Sequence, residues 1–456
     1  MKNILIFKRP FPSFLKFSES YNELRDINPK YISDFKNFGD FPIMNSVYSK
    51  IKRSDISEKL YDINYYDIIK RDRYIKHIEE KEAISLINGV WESLEEIISE
   101  NSFDGFIGMP IDNYILHLLF LKCLDHEIPA ICPTSSPLPG YVRIRNLYES
   151  YDLREPSLEE VESIYKVLSD RYFRPTWLKK PKKFQKLLFL YFKERVKKIV
   201  FSYRKWKNSD PYSFHYNCIY PMPGAITIKS ISDAFVRNLF EKDINKIKAI
   251  TEKYESVVYF PLQFVPENTI NYGIKDPNFY QYEKTIETVV NELPNNVLVI
   301  FKEHPDFYAY RRKEFYKKIK SYKNTLLIDL AFPTNDILEI SDFVIITGSA
   351  STGIEAIIKN KTVIALGGTY YDPESEVSHN IFSYENLSSI NKHLYHKEIT
   401  ETQKRSMIKR ILETSVKGIL DFEFRYEKDN KNHVNTIKSF VDLLDHVKVK
   451  QDRTVL

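Results

Sequence analysis

Short apolar runs that stop at a glycine, a proline or a charged residue recur along this chain, and they set its expected elements. In the C-terminal half, Val297-Leu298-Val299-Ile300-Phe301 and Phe343-Val344-Ile345-Ile346-Thr347 are β-branched and do not alternate, the pattern of parallel strands covered on both faces. Leu326-Leu327-Ile328-Asp329 and Thr362-Val363-Ile364-Ala365-Leu366 read the same way, and Val257-Val258-Tyr259-Phe260 is expected to open the set. Helices are expected between these strands. Gly367-Gly368 is expected to end the last strand in a flexible loop through Tyr370-Tyr371-Asp372, with helices filling Glu385 to Val447.

The N-terminal half begins with a strand at Ile4-Leu5-Ile6-Phe7, and the Pro-, Asn- and Ser-rich stretch Pro10 to Ser54 reads as loops and short helices. Tyr65 to Glu100 is helical, with Ile84, Ile87, Val90, Trp91, Leu94 and Ile98 on one stripe. A short strand at Gly105 to Pro110, a helix at Asn113 to Leu124 and a strand at Ile128 to Cys132 form a βαβ succession, closed by a Pro-rich loop over Thr134 to Asn146. Asp152 to Lys207 is a helical connector, and Ser232 to Lys253 a further helix. The chain thus divides into an N-terminal Rossmann-like domain over 1–150, a basic helical connector over 151–254, a second α/β domain over 255–384 and closing helices over 385–456.

Composition agrees with an α/β protein and narrows its setting. With 456 residues the chain can bury two substantial cores, and 43% hydrophobic with 28% charged residues excludes a disordered chain. Cys123, Cys132 and Cys218 are too few and too scattered for a disulfide framework or a metal cluster, so a cytoplasmic setting is expected. No stretch reaches the roughly 18 apolar residues of a membrane span. The run after Met1 is also too short for the core of a signal peptide. Basic residues interleave with Leu187, Leu188, Leu190, Phe192, Val196, Val200 and Trp206 between Lys179 and Lys207, where Glu194 is the sole acid. Such a helix either lies on an anionic membrane or presents a solvated basic face, and replacing Lys182, Lys183, Lys197 and Lys198 by Glu separates the two. No nucleic-acid-binding motif accompanies the charge.

Candidate chemistry follows the strands of the C-terminal half, just past carboxyl ends where open α/β sheets bind ligands. Gly348-Ser349-Ala350-Ser351-Thr352-Gly353 offers close backbone approach, three hydroxyls and a helix start expected at Gly353, a fit for phosphate; Ser351 or Thr352 as a plain N-cap is the other reading. Glu355 is placed in the first turn, where it can accept from ribose hydroxyls or complement the helix dipole. His304, in Lys302-Glu303-His304-Pro305, is held extended by Pro305 and can donate to a phosphate or leaving-group oxygen; a solvated turn is the alternative.

Taken in order, Leu262-Gln263 with Glu267, Lys302-Glu303-His304-Pro305, Asp336-Ile337, Ser341-Asp342 and Gly348 to Ala356 resemble the capsule polysaccharide biosynthesis family, which includes bacterial β-Kdo transferases. The resemblance implies a GT-B-type glycosyltransferase: two Rossmann-like domains facing across a cleft, the C-terminal one holding a nucleotide sugar and the N-terminal one on the acceptor side. In the Kdo transferases the donor is CMP-Kdo. By residue match its CMP would fall to His304, Pro305, Ser349, Ser351 and Thr352. A donor held there would have Gly348 at the same turn and its ribose near Glu355, with Gln263 and Glu267 positioning donor or acceptor.

The family also carries an acidic pair followed by Gly, two aromatic or aliphatic residues and Arg. Here Gly140, Tyr141 and Arg143 match, but Leu138 and Pro139 stand where the acids would be, so the base is sought in Asp112 or Asp104. Asp112 as N-cap of the following helix is the alternative. No metal and no cofactor beyond the donor substrate are expected, and no DxD motif is seen. The expected partners are a nucleotide sugar and a glycan or glycolipid acceptor, joined by an anionic membrane surface on the inner face of the cell membrane under the first of the two readings of the basic helix. Two other functions share the pattern: a sugar-nucleotide epimerase, and a catalytically silent subunit that binds glycan or nucleotide.

Overall fold

The structure, a computed structural model, describes all residues except 54, 148–149, 171–172, 174–183, 218–231, 266–267, 305–306, 309, 421–429 and 448–456. It forms two compact units: Met1–Pro156, Ser209–Cys218 and Ile411–Leu456 in the first, Ser157–Asn208 and Ile219–Arg410 in the second. This division differs from the four-part reading of the sequence. The stretch 151–254 is shared between the two, with 151–156 and Ser209–Cys218 in the first unit and the rest in the second.

The first unit holds β1 (Lys2–Phe7), β2 (Ile27–Ser33), β3 (Phe41–Pro42), β4 (Gly105–Ile107), β5 (Ala130–Ser135) and β6 (Tyr141–Arg145). The second holds β7 (Ser256–Pro261), β8 (Val297–Lys302), β9 (Thr325–Ile328), β10 (Phe343–Thr347), β11 (Thr362–Leu366) and β12 (Ser378–Ile381). The chain then returns to the first unit with β13 (Ser415–Lys417).

In the second unit the strand order is β12-β11-β10-β7-β8-β9, every pair parallel. Renumbered from its first strand this is the doubly wound 3-2-1-4-5-6 order, whose switch point lies between β7 and β10. The first unit has the order β13-β6-β5-β4-β1-β2-β3, with β6 antiparallel to both its neighbours, β5 and β13, and the other pairs parallel. Its switch point lies between β1 and β4. The expected α/β class with two Rossmann-like sheets is therefore what the chain adopts.

The strands form where apolar runs can be covered on both faces. Every residue of β8, β10 and β11 is buried. Leu187, Ala234, Phe279, Ile286, Val289 and Tyr316 lie in the same cluster as residues of β7 to β12. Each large side chain so covered contributes about 1.5–3 kcal/mol. In the first unit the helix Asn430–Leu444 supplies Ile437, Phe440, Val441 and Leu444 to a core shared with Ile4, Ile6, Ile107 and Ile131. Asn113 caps the helix Tyr114–Asp125 by accepting from the Leu116 N–H at 2.8 Å, and that helix is buried from Tyr114 to Cys123.

Several elements differ from the sequence reading. β2 lies within the stretch assigned to loops because Asn28, Pro29, Lys30 and Tyr31 are only half-buried and break the apolar signal. β6 lies within the Pro-rich loop, paired antiparallel to β5. Tyr65 to Glu100 holds two α-helices, Tyr65–Arg71 and Glu80–Glu100, with a short turn of helix between. Ser232 to Lys253 is not one helix, since Glu241 bridges to Ile328 of β9 before the helix Ile244–Thr251 starts. β12 follows the strand expected to be last, and the intervening loop is pinned rather than free. The buried Asp372 carboxylate accepts from the N–H groups of Glu376 and Val377 and from the Ser378 hydroxyl.

Candidate functional site

The loops after β7, β8, β10 and β11 all leave the same edge of the second sheet, and those after β7 and β10 flank its switch point. After β10, Gly348 takes a positive φ of 60° and donates its N–H to Leu366 O at 2.7 Å, so the chain turns at once into a helix. That helix runs Ser351–Ile358, two residues earlier than expected, with Ala350 at the N-cap and no side-chain cap. Ser351 and Thr352 are therefore the first two helical residues, and the N-cap reading of their hydroxyls is corrected. Ser349, Ser351 and Thr352 are half-buried at the rim. The same start moves Glu355 out of the first turn, which contains no acid. Glu355 instead acts electrostatically on Tyr259 of β7, whose buried hydroxyl is pushed up by burial first and by that carboxylate second.

Two contacts fix this turn against the loop that follows β11. The Tyr370 N–H donates to Ser349 Oγ at 3.1 Å. Gly353 packs so closely that a Cβ there would overlap the hydroxyl of Tyr371 and Cδ1 of Ile346.

Two strands away, about 10 Å across the sheet, β8 ends in Lys302-Glu303-His304. Glu303 is fully buried and receives Arg311 Nη1 on both oxygens at 2.6 Å and the Tyr316 hydroxyl at 2.7 Å. Burial pushes its carboxyl up, and Arg311 and Tyr316 oppose that. Glu303 also accepts the His304 N–H at 2.7 Å, while the guanidinium of Arg311 donates to Gln263 O and the Gln263 N–H donates to the Tyr282 hydroxyl at 2.8 Å. One buried ion pair thus anchors the loops after β7 and β8 together. The imidazole of His304 is half-buried, with its ring edge-on to Phe264 at 5.7 Å. Glu267 and Pro305 lie outside the described residues, as do Cys218, Lys182 and Lys183.

The remaining motif residues are structural. Asp342 accepts from the Val257 N–H at 2.8 Å at the amino end of β7, and the Ser341 hydroxyl donates to Ile337 O at 2.7 Å.

The first unit places a second charged group at its own switch point. Arg9, after β1, is buried and donates to Asp34 and to both oxygens of Asp112, the latter at 2.8 Å from Nη1 and Nη2. Asp34, after β2, also receives Asn113 Nδ2 at 2.6 Å and faces His215 Nε2 at 3.1 Å, whose ring stacks on Phe35 at 4.1 Å. Burial would push Asp34 up, but Arg9 and His215 hold it well below the usual carboxylate range. Asp112 is the more exposed of the two carboxylates, 23% of its side chain against none for Asp34. It is not the N-cap, a role that falls to Asn113. Asp104 sits at the opposite edge, accepting from the Asn3 N–H at 2.7 Å beside the amino end of β4. Leu138 is buried in the turn between β5 and β6, a place that would strongly disfavour a charged acid.

Residues 208–408 match the family described as capsule polysaccharide biosynthesis protein. The matched segment is less than half of the chain, and it holds every strand of the second sheet together with His215 of the first unit. No curated protein matches. Among solved structures, the β-Kdo 2,4 transferase KpsC of Thermosulfurimonas dismutans is similar at 15% identity, over 68% of this chain and 79% of that one, with a TM-score of 0.34. The MnaA–UDP structure of S. aureus has 16% identity over 97% and 98% of the two chains, with a TM-score of 0.28. The UDP-GlcNAc 2-epimerase of Methanocaldococcus jannaschii, with UDP-GlcNAc and UDP, has 14% identity over 90% and 99%, with a TM-score of 0.27. At these scores none bears on activity.

Within the matched segment the sequence pointed to the hydroxyl-lined turn and to His304, but not to Arg311 and Tyr316 or to the packing of Tyr371 on Gly353, which hold these loops. Arg9, Asp34 and His215 were also missed. A polar residue directly after an apolar strand was the available signal for Arg9, and nothing comparable marks His215.

Proposed function

We propose that the chain is a glycosyltransferase of bacterial capsule or surface-polysaccharide biosynthesis, moving a sugar from a nucleotide donor to a glycan or glycolipid acceptor. The observation that carries this reading is the hydroxyl-lined helix start at the switch point of a capsule-family sheet. The donor phosphate sits on the N–H groups and hydroxyls of Ser349, Ser351 and Thr352, where the helix dipole favours an anion. Glu355 takes the ribose, and Gln263 lines the neighbouring loop. His304 donates to the departing phosphate as its charge grows. This charge neutralisation requires no metal, and CMP-Kdo is the donor that the family resemblance suggests. Asp112 is the candidate base for the acceptor hydroxyl. Both its oxygens are engaged by Arg9, yet each keeps a further acceptor position.

The test is nucleotide release from a panel of CMP-, UDP- and GDP-sugars with lipid-linked glycan acceptors. Acceptor-dependent release is expected with one nucleotide, falling about 100- to 1,000-fold in His304→Ala and by about 100-fold or more in Asp112→Asn. Binding without release would instead make the chain a silent subunit, and turnover without acceptor an epimerase.

A further inference from the structure

The helix Phe184–Lys207 carries two apolar faces. The first, Leu187 and Tyr191 with Phe184, Leu188 and Phe192, packs into the core of the second unit. The second is uncovered: Phe189 is 66% exposed, Val196 49%, Ile199 58%, Val200 41%, Tyr203 56% and Trp206 75%. At 3.6 residues per turn these six side chains fall within about 120° of the helix circumference, and Lys186, Lys193, Lys197 and Arg204 fall in a band of about 40° directly beside them. The sequence of this helix has one acid, Glu194.

We propose that this face docks the protein on an anionic lipid bilayer, with the helix lying in the plane of the surface. The apolar row enters the acyl boundary, the basic row meets lipid phosphates, and Tyr203 and Trp206 sit at headgroup level, where their amphipathic rings are favoured. A surface-lying mode agrees with the described helices, none of which is long and apolar enough to cross a membrane. The charge row selects this occupant over a second copy of the chain. Pairing two such faces would bring like charges together, whereas an anionic surface neutralises them. A lipid-linked acceptor would then be met where it resides, but the docking stands independently of the nucleotide site.

The experiment is co-sedimentation of the full chain with phosphatidylcholine vesicles with and without phosphatidylglycerol. Wild type is expected to bind the anionic vesicles alone and to release as salt rises. Each basic residue at such a surface is worth about fivefold in partition, so Lys193→Glu/Lys197→Glu/Arg204→Glu is expected to lower binding on the order of a hundredfold. Ile199→Ser/Val200→Ser/Trp206→Ser, at exposed positions, is expected to lose binding as well. Both variants should keep the wild-type thermal midpoint and nucleotide binding, which separates this surface from the proposed donor site. Equal binding to neutral vesicles, or unchanged binding by both variants, overturns the proposal. A lipid-free dimer that the serine variant dissociates overturns it too, and assigns the face to a second copy.

Discussion

Arg9 is the residue on which the first unit's charged group depends, because it is buried and answers two carboxylates at once. Asp34→Asn removes one of the two carboxylates that answer the buried guanidinium while Asp112 still holds it, so the variant is expected to lose about 1.5–3 kcal/mol of stability near neutral pH, the worth of charged hydrogen bonds. The sign with pH follows from the depressed carboxyl of Asp34. Its contribution is fully present above the ordinary carboxylate range, roughly pH 4, and is lost as pH falls below it. Urea unfolding of wild type should therefore weaken on acidification more steeply than that of the variant, and parallel curves would contradict the assignment. Of this group Asp112 was read from the sequence, as an acid close to a strand end, while its partners Arg9, Asp34 and His215 were not. Arg9 reaches Asp34 across 25 residues and Asp112 across 103, and Asp34 meets His215 across 181, and no local spacing encodes such distances.

Among the elements, β8, β10 and β11 were legible because strands covered on both faces must be apolar throughout. β2, β6 and β12 were not. β2 is half-exposed, β6 carries Arg143 and Arg145, and β12 reads Ser378-His379-Asn380-Ile381. In each, pairing with a neighbour settles the conformation where side-chain pattern does not. The helix Ser351–Ile358 was found but misplaced by two residues, because a glycine at its third position looks like a start. That glycine serves packing instead: Gly353→Ala would press a methyl into Tyr371 and Ile346. It is expected to cost about 1–3 kcal/mol, read as a lower denaturation midpoint, and to loosen the turn that carries Ser349. An unchanged midpoint would show that the loop after β11 yields freely.

On the scale of the whole molecule, two sheets of the same winding each bring charged or hydroxyl-bearing residues to their switch points, and the capsule-family match covers the second. The two-sheet α/β class was legible from repeated strand and helix patterns. The allocation of Ser209–Cys218 and of the last helix to the first unit was not, since it depends on contacts across most of the chain. The central claim is that one nucleotide bridges the helix start at Ser351 and the imidazole of His304. A crystal structure with the nucleotide selected by the release assay tests it most directly. The account expects phosphate oxygens within hydrogen-bond reach of Ser351, Thr352 and His304, with the ribose beside Glu355. A nucleotide bound at another edge of the sheet, or one touching Ser351 and Thr352 with His304 turned away, would contradict it.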